Sequence, residues 1–420
     1  MLHTVPHFSD TGYQVHLSAL GAMATNRILV LRWTGSAYES LDGFLGLIAR
    51  AFGELGHEVT FFSVEGSEWT RSLAGLLETE RFDFALTMSG IGIGAIVPGK
   101  GLIWEVAKVP LFNWSCDHPC YFPPRHAARS RFILHGYVFP DHAQYNIRYL
   151  NPNGMAFAVH IGMPPRHIFH GAPLPVSARN GRIIFTKSGK DSNAIAAEWQ
   201  DRLPTLREIL LAAAEELLHQ GTAAFVPVLQ RIAAPHGLLL AAGGELMLSL
   251  IRELDDYIRF RRGDMVVRAL LDHPVDVFGS GWDHIPWDHA RSARFHGPLP
   301  WHSAAVERLP SYLGALSINP LVEQSVHDRV FFALAAGVTP LTDDNSFART
   351  RMPALRPYCF DFTPERIIAA ADALLSDPAE ALARTEAACQ ALAPDVTMRR
   401  AAEQIVQFAG LCGANLRWGA

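Results

Sequence analysis

His327 and Arg329 stand two residues apart, just ahead of the apolar run Val330-Phe-Phe-Ala-Leu-Ala-Ala336 that Gly337 ends. The run reads as a helix, and Gly337 as its left-handed cap. The basic pair then falls at the helix N-terminus, where unpaired backbone N–H groups and the helix dipole favour an anion. A diphosphate would satisfy those amides and the cationic fork together. Upstream, Leu316-Ser-Ile-Asn319-Pro320 reads as a strand ending in Asn-Pro. The same spacing also fits a plain strand–helix–strand crossover in which the basic pair only decorates a solvated turn.

Other groupings carry weaker chemistry. Lys187, Ser188, Gly189 and Lys190 follow the apolar run Ile183-Ile-Phe185. A lysine at a strand end beside Ser and Gly suits phosphate, although a polar surface turn reads equally well. The spacing is not that of a Walker A loop. In the first half, Asn113-Trp-Ser-Cys-Asp-His-Pro-Cys-Tyr121 places Asp117 next to His118 at a strand end. Either group could take a proton from an acceptor hydroxyl, which is general-base work. The alternative is that Asp117 forms an Asx turn before Pro119. Ser89-Gly-Ile-Gly-Ile-Gly94 misses the dinucleotide fingerprint and reads as a loop bordering a cleft. Cys116 and Cys120 lack the second Cys/His pair that structural zinc needs, and Asp343-Asp344 reads as capping or turn chemistry. No metal site is expected, and nothing resembles a Ser-His-Asp nucleophile elbow.

The elements that must position these residues follow from periodicity. Arg27–Trp33, Glu58–Val64, Phe82–Met88, Val109–Trp114 and Phe132–Phe139 read as buried strands, with an amphipathic helix at Leu41–Leu55. Strand, helix and strand in about 40 residues make a βαβ unit, so the sheet is expected to be parallel. The Pro- and Gly-rich stretch 151–180 reads as a crossing between domains. A second series follows at Arg182–Lys187, Val275–Gly279, Ala315–Asn319 and Thr339–Thr342. Nearly ninety residues separate the first two of these strands, far more than the dozen or more a crossover needs. Periodic helices at 206–219, 224–233, 238–260 and 265–272 fill that gap. Three more amphipathic helices close the chain at 364–376, 378–392 and 399–412.

With these elements in place, the block from about 255 to 345 resembles bacterial glycosyltransferases of the group-1-like, spore-maturation CgeB-type family. An Asn-Pro strand end precedes a His-x-Arg helix start and an Ala-Ala-Gly helix end. Arg261 or Arg262, then Val275-Asp-Val-Phe-Gly-Ser-Gly-Trp282, then His296-Gly297, resemble the family's arginine helix, Gly-x-x-Trp strand end and His/Tyr-Gly step. Asp117-His118-Pro119 is similar to an Asp-x-Pro of relatives. The resemblance implies a GT-B fold: an α/β chain of two Rossmann-like parallel-sheet domains facing a cleft, with a helical insertion in the C-terminal half.

It implies a nucleotide-diphosphate-sugar co-substrate, UDP type favoured, on the C-terminal domain and no other cofactor. His327 and Arg329 would face the diphosphate, and the Gly279–Gly281 turn would let backbone approach the nucleotide. Trp282, Asn319 and Gly337 belong to the same donor set, with Lys187, Ser188, Gly189 and Lys190 behind them. Many relatives carry a glutamate one turn before the helix end to bond the ribose. Phe332 stands there instead.

Expected domains are an extension at 1–26, an acceptor domain at 27–175, and a donor domain at 176–395 with its insertion at about 190–270. A helix at 396–420 would cross back. The formal charge of −5 gives no broad field for nucleic acid, which is therefore not expected as a partner. No run reaches the roughly 18 apolar residues of a membrane span, and five cysteines suit a reducing, cytoplasmic location. The expected activity is metal-independent sugar transfer to a hydroxyl or other nucleophile on a glycan, protein or small molecule. A non-catalytic nucleotide-sugar binder and a sugar-nucleotide epimerase are the alternatives. The insertion offers a surface for reading the acceptor or for a homodimer.

Overall fold

The computed structural model describes residues 25–169, 171–220 and 224–418. The expected extension at 1–26 lies outside them except for its last two residues. Fourteen strands are present among the described residues. In the first half they are β1 (Arg27–Arg32), β2 (Glu58–Ser63), β3 (Phe84–Met88), β4 (Ile96–Val97), β5 (Gly101–Leu102), β6 (Leu111–Ser115), β7 (Ile133–Tyr137) and β8 (Met155–Ala158). The second half has β9 (Ile183–Thr186), β10 (Val275–Phe278), β11 (Arg294–Phe295), β12 (Gly314–Ser317), β13 (Thr339–Asp343) and β14 (Cys359–Phe360).

Two six-stranded sheets result, ordered β2-β1-β3-β6-β7-β8 and β11-β10-β9-β12-β13-β14. Every pairing within them is parallel. The central strands are buried on both faces because helices cover both sides, as parallel sheets require. Five strands escape the sequence reading: the short β4–β5 hairpin and three strands of the two large sheets. β8 lies inside the stretch assigned to the domain crossing, half-buried and pairing with β7 alone. β11 and β14 are two residues each, too short to show a period.

The N-terminal helices are α1 (Ser40–Glu54), α2 (Trp69–Thr79), α3 (Ile103–Ala107), α4 (Pro123–His126) and α5 (Pro140–Tyr145). The insertion holds α6 (Ser192–Glu198), α7 (Pro204–Gln220), α8 (Phe225–Ala233) and α9 (Glu245–Ala269). Two helices were expected over 238–272, and one continuous 25-residue helix is found. Gly263 does not break it. A Cβ there would lie 3.1 Å from the Trp282 ring, so the missing side chain is what lets α9 pass over that indole. Beyond are α10 (Asp328–Ala335), α11 (Ser346–Arg351), α12 (Pro364–Ser376), α13 (Pro378–Leu392) and α14 (Met398–Trp418). α14 packs on α1 and β6 of the first half, where Phe408 stacks on Phe157 at 4.1 Å. No helix among the described residues is long and apolar enough to cross a membrane.

Each sheet reverses direction once. In the first, the chain goes from β1 outward to β2 and returns to β3 on the other side of β1. In the second it goes from β9 through β10 to β11, then returns to β12 beside β9. Parallel sheets bind ligands at such switch points, outside the carboxyl ends of the flanking strands. Here those ends carry Trp33–Tyr38 and Ser89–Gly94 in one domain, and Lys187–Lys190 and Asn319–His327 in the other.

Candidate active site

A cavity of about 730 Å³ is lined by residues from both domains, and all four switch-point loops reach it. From the second domain, Lys187, Ser188, Gly279, Asn319, His327 and Arg329 contribute. From the first come Tyr38, Ser89, Asp117, His118 and Arg125, and α9 adds Asp255 and Arg259.

The tip of α10 is the most rigidly built part. Asn319 is buried and accepts a hydrogen bond from the His327 N–H at 2.7 Å. Its own N–H donates to Asp343 at 2.7 Å, and its side-chain amide donates to Thr342 Oγ1 at 3.1 Å. A buried polar network of this kind fixes one geometry because leaving any member unpaired is costly. His327 is the N-cap residue of α10. Its Nδ1 lies against the Asp328 carboxylate, and the Arg329 Nη1 stands 3.1 Å from its Nε2. The ring's role depends on its tautomer: Nδ1–H can donate to Asp328 while Nε2 accepts from Arg329, or Nδ1 can accept the Arg329 N–H at 3.5 Å as the helix cap. Burial works against the Asp328 charge, but His327 and Arg329 outweigh it and hold this carboxyl below its ordinary range.

Three cations crowd this tip. Burial depresses Lys187 well below the usual lysine range, and the charges of Arg259 and Arg329 depress it further. Burial also lowers Arg329, with Arg259 adding to the effect against the pull of Asp328. Among the described residues Lys187 forms no ion pair, and its ammonium rests 5.6 Å from the Phe260 ring centre. Mutually repelling, desolvated cations beside the amides of a helix start form a site that an anion would relieve.

Behind the tip, two loops lock backbone to backbone. The Lys187 N–H donates to the Phe278 carbonyl at 2.9 Å, and the Gly189 N–H to the Ser280 carbonyl at 2.8 Å. Gly279 has φ 141°, and a Cβ there would fall 2.2 Å from the Lys187 carbonyl oxygen. A Cβ on Gly281 would meet the Gly189 carbonyl at the same distance. The close approach these glycines permit is therefore loop to loop. Trp282 is fully buried beneath them, its indole N–H donating to the Lys187 carbonyl at 2.7 Å. Gly189, Gly281 and Trp282 support the cavity without lining it. Lys190 is exposed and pairs with Glu198 at 3.5 Å, away from the lining. Gly337 caps the far end of α10, where its carbonyl accepts from Arg179. The arginine that α9 brings to the cavity is Arg259. Arg262 is buried one turn on, over the Phe362 ring.

Phe332, at the place where the resemblance implies a carboxylate, is 1% exposed and sits edge-on to Trp301 and to Phe44 of α1. Gly43 makes this contact between domains possible, since a Cβ there would lie 2.4 Å from the Trp301 ring. That end of the cavity is aromatic.

Across the cavity, the loop after β6 presents Asp117 and His118. Burial raises the Asp117 carboxyl above its ordinary range, with Arg259 and Arg125 opposing. His118 is packed edge-on to His142, Tyr145 and Phe225, and its Nδ1 accepts from the Cys120 N–H at 3.1 Å. Burial drives its pKa down to about 3, so the ring is neutral. The same loop reaches α9: the Tyr121 hydroxyl lies 2.7 Å from Asp255 and 2.6 Å from Asp256.

The sequence reading missed Tyr38, Tyr121, Arg125 and Arg259. Tyr38 spans the cleft, with its hydroxyl 2.7 Å from Ser188 Oγ and 3.0 Å from Ser280 Oγ. Its backbone is left-handed at φ 58°, as are those of Ser89 and Phe122, which also line the cavity. No local pattern announces a tyrosine in that conformation. Among the described residues, one His/Asp group has metal-ligand proximity: Asp191, Asp264 and His284. It lies outside the cavity lining and is already engaged. Asp264 faces His284 at 2.7 Å and accepts from Ser192, while Asp191 caps α6.

Against known proteins, a family model described as "Glycosyl transferase-like" matches residues 261–407. No curated protein sequence matches. Among solved structures, an alpha-glucosyltransferase in complex with UDP and a 13-mer DNA containing a HMU base is similar, with a TM-score of 0.52 at 13% identity. That match covers 92% of this chain and 100% of the other. The T4 phage BGT in complex with UDP and Mn2+ is similar with a TM-score of 0.51 at 10% identity, covering 91% and 99%. The fold is GT-B: two Rossmann-like parallel-sheet domains facing a cleft, with a helical insertion in the second.

Proposed function

We propose that this protein is a glycosyltransferase that moves a sugar from a nucleoside-diphosphate sugar, UDP type favoured, to an acceptor hydroxyl. One observation carries the reading: the cationic tip of α10 and the carboxylate of Asp117 line one cavity from opposite domains. The family match over residues 261–407 and the UDP complexes of the two similar structures point the same way.

The donor diphosphate would lie at the α10 N-terminus, against His327, Arg329 and Lys187, with Ser188 beside it. Catalysis would then consist of positioning plus stabilisation of charge on the departing diphosphate. Fixed cations and helix amides supply that stabilisation, so the reaction is proposed to run without a divalent ion. Asp117 is the proposed general base. Burial raises its carboxyl above the ordinary range, which makes it a better proton acceptor than an ordinary carboxylate. His118, neutral and tied to the Cys120 N–H, holds the Asp117 loop in place. Phe332, Trp301 and Phe44 close the donor end with rings, where the resemblance implies a carboxylate for the ribose hydroxyls.

The test is incubation with UDP-, GDP-, dTDP- and CDP-sugars while slow donor hydrolysis is followed. Release of free sugar, persisting in EDTA, is expected. Binding without release would make the protein a nucleotide-sugar binder, and an epimerised donor would make it an epimerase.

A further inference from the structure

We propose that the N-terminal rim of the cavity is an acceptor subsite for a neutral saccharide, whose ring stacks on Trp33 and Phe122. The proposal rests on the transferase reading above and names its acceptor class. Both side chains line the cavity, yet Trp33 is 38% and Phe122 49% exposed. Large aromatics left open at the mouth of a pocket are a binding surface more often than a packing accident.

The chain holds the Phe122 ring in place at a conformational cost. Phe122 adopts φ 64°, an unfavourable backbone for a bulky residue, and such strain concentrates at ligand sites. The Arg125 guanidinium lies 4.3 Å over the Phe122 ring centre and donates to the Ser89 carbonyl at 2.7 Å. One ring face is therefore backed by a fixed cation. Gly90 makes room for that arginine, since a Cβ there would lie 2.9 Å from the Arg125 Cβ. The Trp33 indole rests on Gly35, where a Cβ would fall 2.6 Å from the ring. Gly35 and Gly90, with left-handed backbone at Phe122 and at Ser89, thus serve two exposed rings.

The chemistry of the occupant follows. An aromatic face is negative at its centre and attracts the polarised C–H face of a pyranose. A hydroxyl of that sugar would then be directed at Asp117 in the same cavity. A polyanion does not fit. Residues 27–175 carry twelve basic and twelve acidic side chains, and Arg125, the rim cation, is already engaged. Duplex DNA is gripped through neutralised phosphates, and this domain has no excess charge for that.

The experiment is saturation-transfer NMR on the full chain, with UDP present, against neutral gluco-, galacto- and manno-configured disaccharides. Calorimetry of UDP runs in parallel. Wild type is expected to bind at least one disaccharide, and the double variant Trp33→Ala/Phe122→Ala to bind it at least tenfold more weakly. UDP affinity should stay within twofold in that variant, which also reports that it is folded. Trp33→Phe/Phe122→Tyr, which keeps two rings, should recover most of the saccharide binding. The proposal is overturned, with the transferase reading left standing, if UDP binds but no disaccharide does. Equal saccharide binding by the alanine variant, or binding of a DNA oligonucleotide at this rim instead, overturns it as well. Failure of UDP itself to bind would sink the underlying reading.

Discussion

The two domains bring strand-end loops to one cavity by different means. In the C-terminal domain the α10 tip is set by satisfied, buried polar contacts. Asn319 ties the His327 N–H to the sheet, and Asp343 and Thr342 tie Asn319 in turn. In the N-terminal domain the loops are held in left-handed backbone at Tyr38, Ser89 and Phe122. A hydrogen-bonded scaffold gives one precise anion seat. A strained one aims rings and a carboxylate that no regular turn would aim. The proposed function places the donor on the hydrogen-bonded half and the variable acceptor on the half built of loops.

Three substitutions would break or sharpen this contrast. Asp117→Asn should have the largest effect, lowering turnover about 10²–10⁴-fold, the range for loss of a general base. Donor affinity should hardly change, and equal losses in turnover and affinity would make Asp117 structural. The second probes the scaffold of the rigid half. Burial pushes the Asp343 carboxyl up to about 6, with Arg262 opposing. Its folded pKa is thus above its unfolded one, so the folded state binds more protons between the two values. Stability should therefore fall as pH rises from about 4 to 6, by on the order of 1–3 kcal/mol. Asp343→Asn, followed by denaturation across that range, should flatten the slope, and an unchanged slope would refute the assignment. The smallest effect belongs to the contact that joins the halves. Tyr38→Phe removes the hydroxyl shared by Ser188 and Ser280, and should cost about 0.5–1.5 kcal/mol. A raised donor KM with little change in melting temperature is expected. A drop in melting temperature alone would make the contact purely structural.

The same contrast explains what could be read in the sequence. Continuous apolar runs and the helix start at His327 are local signals, so the sheets and the α10 tip are legible in the sequence. The Gly279–Gly281 turn reads in sequence as a place for backbone to approach a nucleotide, whereas the space these glycines leave is filled by the Lys187–Lys190 loop. Lys190 was chosen by type, and only the fold shows it turned toward Glu198. Gly337 follows the helix by a fixed count, which places it at the end away from the anion seat. Tyr38 and Tyr121 reach partners about 130 to 240 residues away, and no window of sequence contains such pairs. Arg259 was passed over for Arg261 or Arg262 because the choice depends on the exact rotation of α9. The strands β11 and β14 are shorter than one full alternation.

The proposed function stands on a diphosphate seated at the α10 tip. Calorimetric titration of UDP and of uridine into wild type and Arg329→Ala tests it directly. Loss of this charge-assisted contact should weaken UDP binding by about 1.5–3 kcal/mol and leave any uridine binding unchanged. Equal UDP affinity in the two proteins would contradict the account.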